Sequence, residues 1–182
     1  MNKNDLDFQG TISRDFAKKQ ILKFSLSYFA LFAAMISMFG FATFIGALQL
    51  EMYLMVIFYI VLIPYMIILV FVIWFEFKYV KTFSFEVLKN NLIIRHGVFN
   101  RVKATIPYSR IQNINITNGV FDRMFKTFTI KVETAGSSAA AYGRRAGNIR
   151  PEGYIPGLKE PNLIENKIKE SLKRHSAIPS GL

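Results

Sequence analysis

The chain contains no cysteine among its 182 residues, and this absence removes several classes of chemistry at once. Without thiols it can form no disulfide, build no cysteine-ligated zinc site and perform no thiol-based catalysis. The acidic residues of positions 78–182 are scattered singly, and His96 and His175 stand in no spacing with a nucleophile or a carboxylate pair. The sequence therefore predicts no catalytic residues, no metal site, no cofactor and no enzymatic activity.

Charge is almost missing between residues 24 and 75, where Glu51 is the only acidic or basic residue. Glu51 separates two uncharged runs, of 27 residues at 24–50 and of 24 residues at 52–75. As helices these runs would be about 40 Å and about 36 Å long, whereas the hydrocarbon core of a bilayer is about 30 Å thick. A core helix of a soluble domain seldom needs so long an apolar run. We therefore predict a hairpin of two transmembrane helices over residues 24–77.

Positive charge stands on both flanks of this hairpin and is missing from its turn. The flanking cations are Arg14, Lys18, Lys19, Lys23, Lys78 and Lys81. Because positively charged flanks stay on the cytoplasmic side during insertion, both termini of this multi-pass protein of the cell membrane are predicted to be cytoplasmic. Residues 78–182 hold eighteen lysines and arginines but only seven acidic residues. A basic domain tethered to a bilayer favours anionic lipids as partners, and we expect no nucleic acid.

Small residues recur every three or four positions along the first apolar run, namely Ala30, Ala33, Ser37, Gly40, Thr43 and Ala47. Such a stripe lets a second helix approach closely. Ala33, Ser37 and Gly40 are therefore predicted to pack against the second helix of the same hairpin, which we favour. The alternative is a seam with another subunit, in a homo-oligomer or with a membrane-protein partner. In the second run, Pro64 is expected to bend the helix.

Beyond the hairpin, apolar and polar residues alternate, which is typical of strands with one buried face. Five short strands are predicted, at residues 82–87, 92–96, 99–106, 111–117 and 128–134. Strands of this length and spacing indicate an antiparallel sheet that curves into a barrel or sandwich. Residues 1–10 and most of 135–157 show no periodicity, so we expect them to lack regular structure.

Two helical segments are predicted among these strands. A single turn at residues 120–125 is expected to tuck its apolar side chains under the sheet, namely those of Val120, Phe121, Met124 and Phe125. A longer helix from residue 161 to about 175 carries an apolar stripe of Ile164, Ile168 and Leu172. Ser13 is predicted to cap a helix that leads into the first apolar run.

Two segments carry a recognisable pattern, LIIRHGVFNR at residues 92–101 and IPYSRIQNINITNGVFDRMFKTFTIKVETAG at residues 106–136. The matching features are Gly97, Pro107, Arg110, Ile111, Gln112, Gly119, Arg123, Phe125 and residues 133–136. On these features the chain resembles the bacterial pleckstrin-homology-like membrane proteins of the YdbS and YdbT type. The resemblance supplies neither a catalytic mechanism nor an established ligand.

The charge pattern divides the chain into three parts, and the resemblance fits this organisation. Residues 1–23 would be a cytoplasmic segment, residues 24–77 the transmembrane hairpin and residues 78–182 an α+β pleckstrin-homology-like domain. That domain would be a bent antiparallel β-barrel of seven strands with a C-terminal helix. Because only five strands are visible from periodicity, one or two more are expected between residues 142 and 158.

Five arginines are the candidate contacts for an anionic ligand, namely Arg110, Arg123, Arg144, Arg145 and Arg150. Guanidinium groups bind phosphates and carboxylates through paired hydrogen bonds. For the first two arginines we favour ion pairs with the neighbouring Asp122 or Glu133. For the other three, a solvated loop and a contact with an anionic surface are equally supported.

The sequence thus predicts a membrane-anchored, non-enzymatic binding or scaffold protein whose cytoplasmic domain engages protein partners or anionic lipid headgroups. The alternative is a subunit of a membrane transport or resistance complex, assembled through the hairpin. Transport has little support because neither apolar run carries an acidic, basic or histidine residue at depth.

Overall fold

The structure is a computed structural model that describes residues 6–46, 49–134 and 153–177. Its strands are β1 (Leu6–Gly10), β2 (Ser84–Leu88), β3 (Asn91–His96), β4 (Val102–Pro107), β5 (Ile111–Thr117), β6 (Phe128–Thr134) and β7 (Gly153–Leu158). Its helices are α1 (Arg14–Phe44), α2 (Leu50–Met55), α3 (Ile63–Thr82), α4 (Val120–Met124) and α5 (Pro161–Ala177). A π-helical segment, Val56–Leu62, joins α2 to α3, and a 3-10 turn, Tyr108–Arg110, joins β4 to β5.

The chain divides into two compact units. The sheet unit comprises Met1–Phe16 and Lys78–Leu182, as far as these residues are described, and the helical unit comprises Ala17–Phe77. The sheet unit therefore takes its residues from both sides of the helical unit.

Within the described parts of the chain, two helices are long and apolar enough to cross a membrane, judged by length and composition: Arg14–Phe44 and Leu50–Thr82. In their most apolar stretches, 0% of the first helix and 6% of the second is buried within the protein. The core helix of a soluble domain would be mostly buried, because burial is what stabilises an apolar helix in water. The protein itself therefore leaves these two apolar surfaces uncovered.

The two long helices of the helical unit contact each other. Tyr28 and Tyr65 stack with ring centroids 4.3 Å apart, and the Tyr28 hydroxyl donates a hydrogen bond of 2.7 Å to the Val61 carbonyl. The second helix widens just before Pro64, where the Ile63 amide bonds the carbonyl of Phe58, five residues earlier. Proline has no amide hydrogen and its ring crowds the preceding turn, so the widened turn lies where the α-helical pattern is hardest to continue.

The strands form two antiparallel sheets, with the orders β1-β2-β3-β4 and β5-β6-β7. Among the described strands, no ladder joins β4 to β5 or β1 to β7, so the expected closed barrel is not formed. The 3-10 turn after Pro107 is the physical reason on one side, since it turns the chain out of the β4 ladder before β5 begins. The structure is thus α+β with two packed sheets, consistent with a pleckstrin-homology-like fold.

Two strands, β1 and β7, are not predicted by the alternation of apolar and polar residues. Residues 6–10 were expected to lack regular structure, but they form β1, which pairs with β2 from Leu6↔Leu88 to Gly10↔Phe85. Within residues 135–157, a strand was expected only from the family resemblance. It is β7, which pairs with β6, while residues 135–152 lie outside the described residues.

The core lies between the sheets and α5. Phe85, Val87, Ile130 and Val132 are buried, and α5 packs the buried Ile164 and Ile168 against β2 and β6. The predicted helix is therefore confirmed, with Ile164 and Ile168 of its stripe buried, and ion pairs join Glu165 to Lys169 at 2.7 Å and Glu170 to Arg174 at 2.6 Å along it. At the start of α1, the predicted cap is confirmed as well, because Ser13 Oγ accepts a hydrogen bond from the Asp15 amide.

Candidate binding surface

The two connections between the units leave the sheet unit side by side. Phe16, in the first turn of α1, lies 6.0 Å from Tyr79, in the last turn of α3, measured between ring centroids. Both residues belong to the sheet unit. Within the sheet unit, the first turn of α1 and the last turn of α3 therefore lie close together.

Strand register defines one end of the sheet unit, which we call the proximal end. In the first sheet it contains Gly10, Ser84, His96 and Val102, because Gly10 pairs with Phe85, Ser84 with Arg95 and His96 with Val102. The distal end contains Leu6, Leu88, Asn91 and Pro107. Since α3 ends two residues before Ser84 and α1 starts four residues after Gly10, the proximal end is the one nearest along the chain to the long helices.

The turn between β3 and β4, residues 97–101, lies at the proximal end. Its first neighbour His96 stacks on Phe83 at 6.0 Å and lies 6.3 Å from Tyr79, both measured between ring centroids. Gly97 adopts a φ of +118°, and a Cβ atom there would lie 1.9 Å from the Asn100 carbonyl oxygen. Only glycine fits this backbone, so Gly97 sets the tight turn that places Phe99 at its tip.

The short helix α4 also lies near the start of α1. Lys159 connects the two regions, because its ammonium bonds the Asp15 carboxylate at 2.5 Å and the Phe125 carbonyl at 2.9 Å. The Ser13 amide donates a further hydrogen bond of 2.9 Å to the Gly157 carbonyl. Within the sheet unit, the β3–β4 turn thus lies near Tyr79, and α4 lies near Asp15.

α4 does not tuck all four of its apolar residues under the sheet, as the spacing predicted. Phe121 and Phe125 are partly buried, but Val120 is 80% exposed and Met124 is 61% exposed. The helix has a single turn, fixed by hydrogen bonds from the Gly119 amide and the Thr127 hydroxyl to the Asp122 carboxylate, so only one of its sides can face the sheet.

The candidate arginines do not form one site. Arg110 ends the 3-10 turn that follows Pro107 at the distal end, whereas Arg123 lies on α4 at the proximal end, and both are exposed. Within the described residues neither guanidinium forms an ion pair. Asp122 caps α4 and Glu133 accepts a hydrogen bond of 3.0 Å from Asn115, so the favoured pairing with these acids is not formed. Arg144, Arg145 and Arg150 lie outside the described residues.

A cluster of polar side chains connects β1 to α5 at the distal end. Asp7 of β1 accepts hydrogen bonds from Ser171 at 3.2 Å and from Arg174 at 3.1 Å, both on α5. Close by, the buried Tyr108 hydroxyl donates a hydrogen bond of 2.6 Å to the Leu88 carbonyl. Burial raises the pKa of Tyr108 to about 12; a hydrogen bond with Ser171 opposes this rise, and the Asp7 carboxylate adds to it. Tyr108 therefore stays neutral and holds the 3-10 turn against β2.

The helical unit contains an apolar cavity of about 390 Å³. Leu22, Leu26, Phe29 and Phe32 line it from α1, and Val61, Leu62 and Tyr65 line it from the second helix. Among the predicted packing residues, Gly40 faces its own hairpin, since a Cβ atom there would lie 3.8 Å from the Tyr53 hydroxyl. Ala33 and Ser37 are exposed.

Sequence reasoning missed the residues that the fold brings to the two ends. Asp7 stands in a segment without periodicity, and no local signal connects it to α5. Phe99, Val120 and Met124 look in the sequence like residues that pack in the core. Flanking arginines and glycines, at positions 97, 101, 119 and 123, were the only hint that these apolar residues sit in turns.

The family model described as Bacterial PH domain matches residues 28–174. The matched region begins within α1, includes the rest of the helical unit and extends into α5. No curated protein matches the chain, and no solved structure matches it.

Proposed function

Because the chain belongs to the bacterial PH domain family, we propose that it is a membrane-anchored, non-enzymatic binding or scaffold protein. The sheet unit is the binding module, and the helical unit is the anchor. PH-like domains generally bind other molecules without chemical turnover, which supports a role without catalysis. The ligands of the module are anionic lipid headgroups or protein partners, and the excess of cations in residues 78–182 favours anionic groups.

One observation carries this proposal: β1 precedes the helical unit, β2 follows it, and the two strands pair. A sheet whose neighbouring strands flank the anchor holds both ends of that anchor on one side of a membrane. The uncovered apolar surface of the two long helices supports their insertion, because such a surface is unfavourable in water.

The cations at the outer ends of the hairpin support a cytoplasmic location for this side, with both termini and the binding module inside. Cysteine labelling tests the topology, since the native chain offers no background thiol. A cysteine at the exposed Asn90 should react with an impermeant reagent only after cells are opened. A cysteine at the exposed Gln49 should react in intact cells. Labelling of the Asn90 site in intact cells would reverse the assignment.

Binding itself is tested by crosslinking the full-length protein in native membranes. The proposal expects crosslinked lipid or protein adducts on the sheet unit. Adducts confined to the helical unit would show that the sheet unit is not the binding module.

A second candidate function, a subunit of a membrane transport or resistance complex, is favoured by one observation. Ala33 and Ser37 are exposed small residues on α1, whereas Gly40 faces the second helix of its own hairpin. Replacing Ala33 and Ser37 by leucine should reduce the size of an oligomer in detergent if these residues form a seam. Gly40→Leu is the control that perturbs the hairpin itself. An unchanged size in the Ala33 and Ser37 variant removes this candidate.

A further inference from the structure

The three most exposed large apolar side chains of the described sheet unit all lie on the β3–β4 turn or on α4. Phe99 is 74% exposed, Val120 is 80% exposed and Met124 is 61% exposed. The next value in this unit is 44%, for Leu163. Single exposed apolar residues are common, but three such tips at one end of a domain mark an interaction surface.

Cations flank these apolar residues along the chain. The exposed lysines and arginines on or next to the two segments and near the end of α3 are Lys78, Lys81, Arg101, Lys103, Arg123 and Lys126. An apolar tip flanked by cations is the composition that suits the boundary between headgroups and acyl chains. The charge of the segments is thus complementary to an anionic bilayer surface.

The position of Tyr79 in the chain indicates the depth of this surface relative to the bilayer. Tyr79 follows the uncharged run, which ends at residue 75, by four residues, or about 6 Å along a helix. Each headgroup layer of a bilayer is about 5–7 Å thick. Tyr79 therefore falls at headgroup level when the apolar run spans the hydrocarbon. His96, which contacts Tyr79, brings the β3–β4 turn to the same level.

We propose that the β3–β4 turn and α4 together form a surface that contacts the anionic headgroups of the bilayer in which the protein is anchored. Phe99, Val120 and Met124 enter the boundary below the headgroups, and Arg101 and Arg123 bind lipid phosphates. This inference rests on the proposed function and specifies its ligand and its surface. It places Arg110 outside the contact, because Arg110 lies at the distal end.

The test uses the full-length protein reconstituted in bilayer nanodiscs. A spin label is attached at Asn100→Cys in the proximal turn or at Asn90→Cys in the distal turn, two exposed asparagines at opposite ends of one sheet. In bilayers of phosphatidylcholine with phosphatidylglycerol, the label at position 100 should be protected from a water-soluble paramagnetic reagent. The label at position 90 should stay accessible. Equal accessibility of both labels in these bilayers overturns the proposal.

Charge and apolar variants identify the cause of the protection. Arg101→Gln with Arg123→Gln should lower the ratio of protected to accessible label by up to about thirtyfold in anionic bilayers, since each cation near such a surface favours contact about fivefold. Lys89→Gln with Arg110→Gln removes two exposed cations at the distal end and should change nothing. Replacing Phe99, Val120 and Met124 by serine should abolish protection, while circular dichroism verifies the fold.

If the surface binds a protein and not lipid, the accessibility experiment should give a different result. Protection of position 100 in native membranes, but not in lipid-only nanodiscs, would assign the surface to a protein and overturn the lipid proposal. The proposed binding function would then stand. Crosslinking confined to the helical unit would refute that function independently of the label at position 100.

Discussion

Arg174 of α5 donates a hydrogen bond of 3.1 Å to Asp7 of β1, and 167 positions of sequence separate the two residues. The contact joins the last helix of the described chain to its first strand. Ser171, which is buried, bonds the same carboxylate oxygen of Asp7. The strand that precedes the helical unit is therefore fastened to the sheet unit at its distal end by side chains as well as by the β1–β2 ladder.

Asp7→Ala should weaken the sheet unit by about 1–3 kcal/mol, because a charged acceptor of two hydrogen bonds is lost. The loss should appear as faster hydrogen exchange of the β1 amides and a lower unfolding temperature in detergent. Glu165→Ala is the matched control, since Glu165 pairs with Lys169 on the same helix, and it should cost less than about 1 kcal/mol. Equal effects of the two changes would show that the Asp7 cluster does not fasten β1.

A soluble form of the sheet unit should result from joining residues 1–16 to residues 78–182 through a short Gly-Ser linker. Phe16 and Tyr79 lie 6.0 Å apart between ring centroids, so a short linker can replace the helical unit. A fragment of residues 78–182 alone lacks β1 and leaves the edge of β2 unpaired. The fusion should give a cooperative thermal transition and dispersed NMR spectra, whereas the fragment should not. Equal folding of the two would contradict a structural role for β1.

Tyr108 should make the sheet unit sensitive to alkaline pH. The pKa of its hydroxyl is about 12 in the folded protein, above the value of about 10 for an exposed tyrosine. The contribution is complete below pH of about 10, and it is lost as pH rises toward about 12 because only the unfolded state releases the proton. Over that window stability should fall by up to roughly 1.4 kcal/mol per pH unit.

Tyr108→Phe isolates this effect. The variant should be less stable at neutral pH by about 1 kcal/mol, because the hydrogen bond to the Leu88 carbonyl is lost. Its stability should fall less steeply above pH of about 10. Denaturation measured across this range compares the two proteins, and parallel curves would contradict the raised pKa.

Gly97→Ala should disrupt the β3–β4 turn. The φ of +118° disfavours any L side chain, and the added Cβ would collide with the Asn100 carbonyl oxygen. We expect a loss of about 1–3 kcal/mol. Asn100→Ala, in the same turn and exposed, is the control and should change stability by less than about 0.5 kcal/mol. Thermal unfolding of the soluble fusion measures both, and a neutral Gly97→Ala would show that the turn tolerates another backbone conformation.

Local patterns determined much of this protein from the sequence alone. The length of the two uncharged runs predicts two long apolar helices, because an apolar run of that length has few alternatives to a helix. The stripe of Ile164 and Ile168 predicts α5 and its buried face, since helical spacing repeats within a few residues. The turn and matching residues of 92–136 predict the family, which the match over residues 28–174 confirms.

Only the tertiary structure decided how distant segments combine. β1 carries no periodic signal because a short strand at a sheet edge is specified by its pairing with β2, which lies beyond the whole helical unit. β7 is likewise specified by its pairing with β6. The division into two open sheets depends on the turn at Tyr108. The exposure of Val120 and Met124 could not be read from their spacing, since spacing defines a face but not what covers it. The β3–β4 turn and α4, which are about twenty residues apart in sequence, come to one end of the sheet unit only once the chain has folded.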